Sequence, residues 1–334
     1  MRKRNLSLFL MSAVILTACG NKQRTSQPEE VATDSVAVAK VYYTKEITPE
    51  SLVKIYEALG VEPQGKVAVK ISTGESAESY NLSPELIKDL VQKVNGTLVE
   101  SNTAYPGNRN TTEAHLKAAA ERGYLDIAEL DIMDSEGDLK IPVNDTTWIK
   151  YDIVGTHLPN YDFMINLAHF KGHQMGGFGG VLKNASIGVA STAGKTYIHS
   201  AGRTEDWEHF WEYTDNQDGF IESMASAAQG VHDFFKQPGK DIVYIDVMNN
   251  MSIDCDCNGH PTLPGLKDMG ILASTDPVAL DKAAIDLVFN HESTEGDDAQ
   301  PLIDRVKEKH GIHIIDHAEK IGLGTTNYTL INID

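Results

Sequence analysis

Apolar and polar positions along the chain form two kinds of segment that alternate from residue 48 onward. Short, nearly continuous apolar runs are typical of buried strands and occupy residues 66–72, 97–101, 161–168, 241–248 and 270–274. Longer stretches with apolar residues at helical spacing predict helices over residues 48–60, 83–96, 111–123 and 276–289. Strands that alternate with amphipathic helices predict an α/β fold with a mainly parallel sheet and helices on both faces.

Capping residues mark the ends of two of these helices. Thr48 is placed to cap the first helix, Pro49 suits its first position and Gly60 suits its end. The stretch 83–96 follows the same plan, with Ser83 as the cap, Pro84 at the first position and Gly96 at the end. The capping pattern is a separate signal from the apolar period, so both signals support the same elements.

The segment that follows the apolar run 161–168 carries His169, Lys171 and His173 on alternate positions, and it contains five glycines between residues 172 and 180. In an open α/β sheet, ligands bind in the crevice at the carboxyl ends of the strands. An extended chain would place all three side chains on one face, and a helix would do so for the two histidines. The sequence therefore predicts that this segment borders a ligand crevice.

Histidine and cysteine side chains near this crevice are candidate ligands of a transition metal. His169 and His173 leave a site short of its usual three or four ligands, and His199, Cys255 and Cys257 are the further candidates. The Cys-x-Cys pair has three open interpretations: a disulfide, thiolates that bind a metal, or inert thiols.

Residues for binding a small anion are predicted in two segments. Gly179 and Gly180 could present backbone amides to a phosphate or carboxylate, with Lys183 adding charge. Asn102 and Arg109 follow another predicted strand, and the arginine suits a pair of anionic oxygens. Tight turns with solvated side chains are the alternative for both segments.

Composition and charge narrow the class of partners. The chain has 334 residues, of which 41% are hydrophobic, so it can bury a large core. Its formal net charge is −19. Removal of the basic residues 2–4 would make the charge three units more negative, which disfavours nucleic acid as a partner.

The amino-terminal residues predict export and lipid attachment. A basic start, an apolar run from Leu6 to Leu16 and the sequence Leu-Thr-Ala-Cys ending at Cys19 resemble a bacterial lipoprotein signal. We expect a signal peptide over residues 1–18, a flexible tether over residues 19–40 and an α/β domain over residues 41–334. The protein would then be held by lipid on a bacterial membrane, facing the periplasm or the exterior; an ordinary secretory signal is the alternative.

Five segments, in order, resemble the domain-of-unknown-function 362 family: "ESNTAYPGNRN…EAHLKAAAERGY", "HFKGHQMGGFGGVLKN", "AGKTYIHS", "CDCNGHP" and "DMGILASTDPVALDKAAIDL". The resemblance covers roughly residues 65–290. It implies a domain of this family, many of whose members carry an inserted ferredoxin-like run of cysteines. This chain has no cysteine between residues 201 and 240, so no conventional iron–sulfur cluster is expected.

The run "GFGGVLKNASIG" is similar over a dozen residues to the lactate racemase family. In that family a lysine and a histidine hold a nickel-containing pincer cofactor. The resemblance implies that Lys183 matches the cofactor lysine and that His199 could be the histidine on the metal side. It adds a metal-bearing cofactor to the candidates for the crevice.

These features favour an exported, lipid-anchored protein that binds a metal or metal-bearing cofactor together with a small anionic ligand. As an enzyme of redox or isomerase type, it would use Lys171 and Lys183 as cations or proton donors and a histidine as base. One alternative is a lipoprotein that binds a metal or solute without chemistry. A structural surface protein is the other.

The lipid anchor gives the first testable prediction. A Cys19→Ala variant lacks the thiol that would be acylated, so it should lose the membrane association of the wild type. Detergent phase partitioning of the two proteins measures this. A variant that stays in the detergent phase would show that another part of the chain holds the membrane.

Overall fold

An eight-stranded sheet forms the centre of the described part of the chain, residues 38–334 of a computed structural model. The predicted signal peptide, Cys19 and nearly all of the predicted tether lie outside the described residues. The first strand begins at Ala39, two residues before the predicted start of the domain. Among the described residues, no helix is both long and apolar enough to cross a membrane.

Strands in this part of the chain are β1 (Ala39–Thr44), β2 (Val67–Lys70), β3 (Thr97–Glu100), β4 (Leu130–Ile132), β5 (Asp138–Ile141), β6 (Asp152–Gly155), β7 (Phe163–His169), β8 (Lys171–His173), β9 (Gly177–Gly179), β10 (Asp241–Met248), β11 (Gly270–Ser274) and β12 (Tyr328–Asn332). The α-helices are α1 (Pro49–Ala58), α2 (Pro84–Lys93), α3 (Thr112–Glu121), α4 (Val181–Ala185), α5 (Thr192–His199), α6 (Gln217–Phe235), α7 (Pro277–Phe289), α8 (Gln300–Glu308) and α9 (His313–Lys320).

The strand order in the main sheet is β12-β1-β11-β10-β7-β2-β3-β4. Five neighbouring strands, from β10 to β4, run parallel, and β12 is parallel to β1. Only β11 in this sheet is antiparallel to its neighbours, which are β1 and β10. The prediction of a mainly parallel sheet with helices on both faces is confirmed.

Continuous apolar sequence in the central strands follows from burial of both sheet faces. Val69 pairs with Ile165 and both belong to one hydrophobic core, whereas Ala68 pairs with Met164 and both belong to the other. Helices α1–α3 cover the first core and α4–α9 cover the second. Because alternate residues face opposite cores, both sets of residues are apolar, and polar residues do not alternate with apolar ones along these strands.

Predicted and observed elements agree within a few residues where the pattern is strong. Residues 241–248 and 270–274 form the predicted strands β10 and β11 in full, and α1 begins at Pro49 with Thr48 as its cap. The 19-residue helix α6 was not predicted. It is rich in Ala, Ser and Gly and is buried on most sides, so it lacks the polar face that marks an amphipathic helix.

A pair of buried carboxyl groups ties β10 to the start of α4. Asp281 on α7 accepts hydrogen bonds from the backbone amides of Val181 (2.8 Å) and Leu182 (3.0 Å). Asp246 on β10 is buried near Asp281, and neither of its carboxyl oxygens has a hydrogen-bond partner among the described residues. Burial and the neighbouring Asp281 charge raise the pKa of Asp246 far above its usual value, so Asp246 holds the proton of the pair.

This carboxyl pair predicts a pH-dependent loss of stability. Asp246 has a raised pKa in the folded state, so its contribution to the free energy of unfolding falls as the pH rises above about 4, the unfolded value. An Asp246→Asn variant keeps a donor toward Asp281 and cannot ionise. We expect its stability, measured by chemical denaturation at pH 5 and pH 8, to fall less than that of the wild type.

The control for this measurement is Asp281→Ala, which removes the acceptor of two buried amides and should destabilise the fold by roughly 1–3 kcal/mol. An Asp246→Asn variant with the same pH dependence as the wild type would contradict the assignment of the proton to Asp246.

Candidate functional site

A cavity of about 290 Å³ opens at the carboxyl ends of the central strands. β2 ends at Lys70, β3 ends at Glu100 and β7 ends at His169, and all three residues line the cavity. The loop after β10 adds Asp256 from the other side. The crevice therefore lies where the sequence analysis predicted it.

The glycine-rich segment forms a β-hairpin rather than a phosphate loop. β8 and β9 pair antiparallel, with Lys171 opposite Gly179 and His173 opposite Gly177. A Cβ atom on Gly172 would lie 2.2 Å from the carbonyl oxygen of Ile253, so only glycine lets the hairpin pack on this loop. Gly177 has a φ of +81°, which is the left-handed region that favours glycine.

Backbone amides at the start of α4 are not free to bind an anion. The amides of Val181 and Leu182 both donate to Asp281. Gly179 and Gly180, whose amides were expected to bind an anion, both line the cavity, and the two amides that follow them in the chain are held by this carboxylate. Gly179 has a different role, because the side chains of Lys171 and Lys183 pack over its Cα.

One ion-pair network surrounds Glu100, which is buried. Lys70 donates to Glu100 over 2.8 Å, and Arg109 contacts the same carboxylate at 3.4 Å. Arg109 also donates to Glu75 at 3.2 Å and to the hydroxyl of Tyr105 at 3.0 Å. Burial alone would raise the pKa of Glu100, but its cationic neighbours lower it well below the usual value. The Arg109 guanidinium is thus neutralised within the protein, contrary to its expected use as an anion clamp.

A second network joins the hairpin to the loop after β10. Asp256 accepts from His169 Nδ1 at 2.9 Å and from Lys171 Nζ at 2.8 Å. The other ring nitrogen of His169, Nε2, lies 2.6 Å from the carbonyl oxygen of Asn249. Both ring nitrogens of His169 are occupied, so this geometry holds Asp256 in place and leaves no lone pair for the predicted metal.

His173 and His199 present opposite hydrogen-bonding properties to the cavity. His173 Nδ1 accepts from the amides of Gly176 (2.8 Å) and Met175 (3.2 Å), so in the neutral ring Nε2 carries the proton. His199 Nδ1 donates to the carbonyl oxygen of Lys195 over 2.7 Å, so its Nε2 carries the lone pair. Burial and then the Lys183 charge lower the pKa of both rings, that of His199 to about 4. The cavity thus holds one neutral donor and one neutral acceptor.

Two further lysines give the cavity its positive character. Lys183 has no hydrogen-bond or ion-pair partner within residues 38–334, and burial together with the Lys171 charge lowers its pKa to about 7. Lys195 donates to the Ala190 carbonyl, and burial lowers its pKa to about 8. Of the two lysines expected to act in the site, Lys171 is paired with Asp256 and Lys183 is the cation left for a ligand.

Cys255 and Cys257 are joined by a disulfide bond at the edge of the cavity. Their sulfur atoms and a ring nitrogen of His173 lie within 4.8 Å of one another. As a disulfide the two sulfurs are not thiolate ligands, which corrects the prediction that they bind a metal in this state. With His169 occupied and His173 protonated at Nε2, the cavity offers a bare ion a single imidazole lone pair, and the donor set does not fit one.

The predicted site residues divide into those that meet in the cavity and one that does not. Ten of the eleven residues predicted for the crevice lie along its wall: Arg109, His169, Lys171, His173, Gly179, Gly180, Lys183, His199, Cys255 and Cys257. Asn102 does not line the cavity; its amide side chain donates to Thr112 and its backbone amide donates to Asp134.

Four charged residues of the site were not predicted from the sequence: Lys70, Glu100, Lys195 and Asp256. Two of them carried a signal, since Lys70 and Glu100 are the last residues of otherwise apolar strands, at the edge where ligands bind. Asp256 lies between Cys255 and Cys257, and only the sulfur atoms of this segment were considered as functional groups. Lys195 lies inside a helix and carried no comparable signal.

The family of the chain follows from comparison with protein-family models. The model described as "Domain of unknown function (DUF362)" matches residues 67–286, which is more than half of the chain. The protein therefore belongs to this family, as the sequence resemblance predicted. No curated protein matches the chain.

Two solved structures are similar to the chain at low identity. The lactate racemase apoprotein from Thermoanaerobacterium thermosaccharolyticum is 15% identical, with a TM-score of 0.43, over 74% of this chain and 56% of that one. A crystal structure of a Thermotoga maritima protein is 11% identical, with a TM-score of 0.40, over 81% of this chain and 58% of that one. The chain thus spans less than two thirds of either structure.

The hydrogen bonds of His173 give a prediction that separates architecture from metal binding. A His173→Ala variant leaves the amides of Met175 and Gly176 without their acceptor, so it should lose roughly 1–3 kcal/mol of stability. Thermal midpoints of the wild type and the variant, with metal analysis of both, measure this. His260→Ala is the control, since that side chain is 85% exposed. A lower metal content without a lower midpoint would contradict the hydrogen-bonding role.

Proposed function

We propose that this protein is an exported, lipid-anchored enzyme that binds a small carboxylate in the cavity and transfers a proton at the carbon next to its carbonyl group. One observation carries the proposal. Lys183, a cation without a partner among residues 38–334, lines the same cavity as His199, whose Nε2 has a free lone pair. A carboxylate held by the lysine would bring its adjacent carbon into the cavity with a base.

Charge supports an anionic ligand. Lys70, Arg109 and Lys171 each contact a buried carboxylate, which leaves Lys183 and Lys195 in excess. These two lysines lie in a cavity of a chain whose net charge is −19, so the positive potential is local to the site. A cavity of one sign with low-dielectric walls concentrates ions of the opposite sign.

Proton transfer is supported by the fixed tautomers of the two histidines. His199 has a pKa lowered to about 4, so it is neutral and able to accept a proton at ordinary pH. His173 presents an Nε2 proton that can donate a hydrogen bond to a carbonyl oxygen as that oxygen gains negative charge. The two rings supply a base and an electrophilic donor without a change of protonation before the reaction.

The expected metal or metal-bearing cofactor has no step in this proposal. His199 Nε2 is the single imidazole lone pair that the cavity offers while the Cys255–Cys257 bridge is closed. If such a group bound through that nitrogen, His199 would no longer be available as the base. Metal binding through His199 Nε2 would therefore exclude proton transfer by His199.

Export and lipid attachment rest on the sequence around Cys19 and complete the proposal. An enzyme held by a flexible tether at the cell envelope would meet small solutes from outside the cytoplasm. Its disulfide suits such a compartment, because disulfides persist where the surroundings are oxidising.

The proposed reaction predicts exchange of a substrate hydrogen with solvent. The full-length protein is incubated in D₂O with a panel of small 2-hydroxy, 2-amino and 2-oxo carboxylates. It should place deuterium on one class, at the carbon next to the carboxylate of a 2-hydroxy or 2-amino acid or at the carbon next to the keto group of a 2-oxo acid, as seen by proton NMR. A His199→Gln variant should lose roughly 10²–10⁴-fold in rate. Exchange that persists in this variant would contradict the role of His199.

The same assay gives a pH profile with a defined sign. The value of kcat/KM should rise as the pH passes about 4, where His199 loses its proton, and fall as the pH passes about 7, where Lys183 loses its charge. Lys183→Arg keeps its charge, so the falling limb should move to higher pH, whereas Lys183→Met should bind carboxylates weakly at every pH.

Lys117→Met, at a lysine that is 75% exposed, is the matched control. Fluorescence of Trp211, which lines the cavity, reports carboxylate binding separately from turnover. Binding without any exchange would leave a solute-binding lipoprotein and overturn the enzyme.

A further inference from the structure

A second cluster of ligand side chains lies outside the cavity, where α6 packs along α9. His313 and His317 are four residues apart on α9, and Glu222 lies on α6. The carboxylate oxygen Oε1 of Glu222 is 2.9 Å from His313 Nε2 and 3.4 Å from His317 Nδ1. The ligand atoms of the three residues all lie within 4.8 Å of one another.

These distances match a coordination sphere. Bonds of 2.0–2.1 Å in a tetrahedral zinc site place neighbouring ligand atoms about 3.3 Å apart. The spacing of 2.9 and 3.4 Å around Glu222 Oε1 brackets this value.

The tautomer of His317 is set for metal binding. Its Nε2 lies 2.8 Å from Asp145 Oδ2, so Nε2 donates to this carboxylate and the neutral ring has its lone pair on Nδ1. Within the described residues, Nδ1 is buried without a hydrogen-bond partner, in a side chain that is 3% exposed, and it points toward Glu222. A buried nitrogen with a lone pair and no donor is an unfilled acceptor position.

Further hydrogen bonds hold the carboxylates of Glu222 and Asp145 in place. Trp148 Nε1 donates to the second oxygen of Glu222 over 2.6 Å, and Thr147 donates to Asp145 through its backbone amide (3.0 Å) and its hydroxyl (2.6 Å). A histidine whose outer nitrogen donates to a carboxylate is a common form of metal ligand, because the outer partner fixes the ring and its tautomer.

We propose that Glu222, His313 and His317 bind a divalent transition-metal ion of the Zn²⁺ class, with Asp145 as the outer carboxylate of His317. The ligand set is two imidazoles and one carboxylate, which favours zinc and similar ions over Ca²⁺ or Mg²⁺. Access is from the side of His313, whose side chain is 35% exposed and lines an open surface cleft. Three protein ligands leave the fourth position to water.

This site is independent of the cavity function and clamps α9 to α6. The ion would join residues 91 and 95 positions apart in the sequence. Because a metal that binds the folded state alone adds its binding free energy to stability, the ion should hold the carboxyl-terminal helices onto the second core.

Zinc titration of the full-length protein in mild detergent tests the proposal. The protein is stripped of metal with EDTA and carries Cys255→Ser and Cys257→Ser. These substitutions remove the sulfur ligands that the two cysteines would otherwise offer beside His173 in the cavity. Calorimetry should show one Zn²⁺ bound per chain, and the thermal midpoint should rise on addition of Zn²⁺. Co²⁺ in place of Zn²⁺ should give the visible absorption bands of a four-coordinate site.

Variants assign the binding to this cluster. His313→Ala should weaken Zn²⁺ binding at least 100-fold and abolish the rise in midpoint, while the metal-free midpoint stays close to that of the parent, since His313 is partly exposed. Asp145→Asn should weaken binding roughly 10–100-fold, as loss of an outer partner does. His260→Ala, at an exposed histidine, should change neither.

Two outcomes would overturn the site. One is an absence of stoichiometric Zn²⁺ binding in the parent protein, which would leave Asp145 as the only hydrogen-bond partner of the His317 ring within the described residues. The other is equal Zn²⁺ affinity in the parent and His313→Ala, which would place the ion elsewhere.

Discussion

The burial of charged side chains at the carboxyl edge of the sheet is the constraint on which the site depends. Lys70 and Glu100 end two neighbouring parallel strands and are buried, so each requires an opposite charge at hydrogen-bonding distance. Loss of one partner from such a pair costs about 3–5 kcal/mol, because the other charge is left buried and alone. Arg109 is buried in the network around Glu100, and Asp256 is buried in the second network with Lys171. These ion pairs fix the cavity wall in the absence of a ligand.

Most of these charges are neutralised within the protein, so the charges that remain unpaired determine which ligands the cavity attracts. Once Lys171 has paired with Asp256 and Lys70 with Glu100, Lys183 is a cation that faces the cavity without a partner among the described residues. Burial and then the positive charge of Lys183 lower the pKa of His199 and His173, which keeps both rings neutral. Each ring then has a tautomer set by the backbone, so one ring presents a hydrogen-bond acceptor to the cavity and the other presents a donor.

Backbone and carboxylate partners set histidine chemistry in both parts of the molecule. In the cavity, amides occupy Nδ1 of His173 and a carbonyl occupies Nδ1 of His199. At the α6–α9 contact, Asp145 occupies Nε2 of His317 and turns the other nitrogen toward Glu222. A histidine in a sequence is thus a candidate for several roles, and its hydrogen-bond partner selects among them.

The sequence by itself determined the class of fold, the order of the strong elements and the edge at which the site lies, because apolar period and helix caps are local properties of the chain. It also placed His169, Lys171 and His173 at the crevice, through the rule that ligands bind at the carboxyl ends of parallel strands. Only the tertiary structure decided that Asp281 holds the first two amides of α4, that Arg109 is neutralised and that Asn102 lies away from the cavity. Those outcomes depend on contacts between residues up to 100 positions apart, and pattern along the chain does not encode which charge meets which.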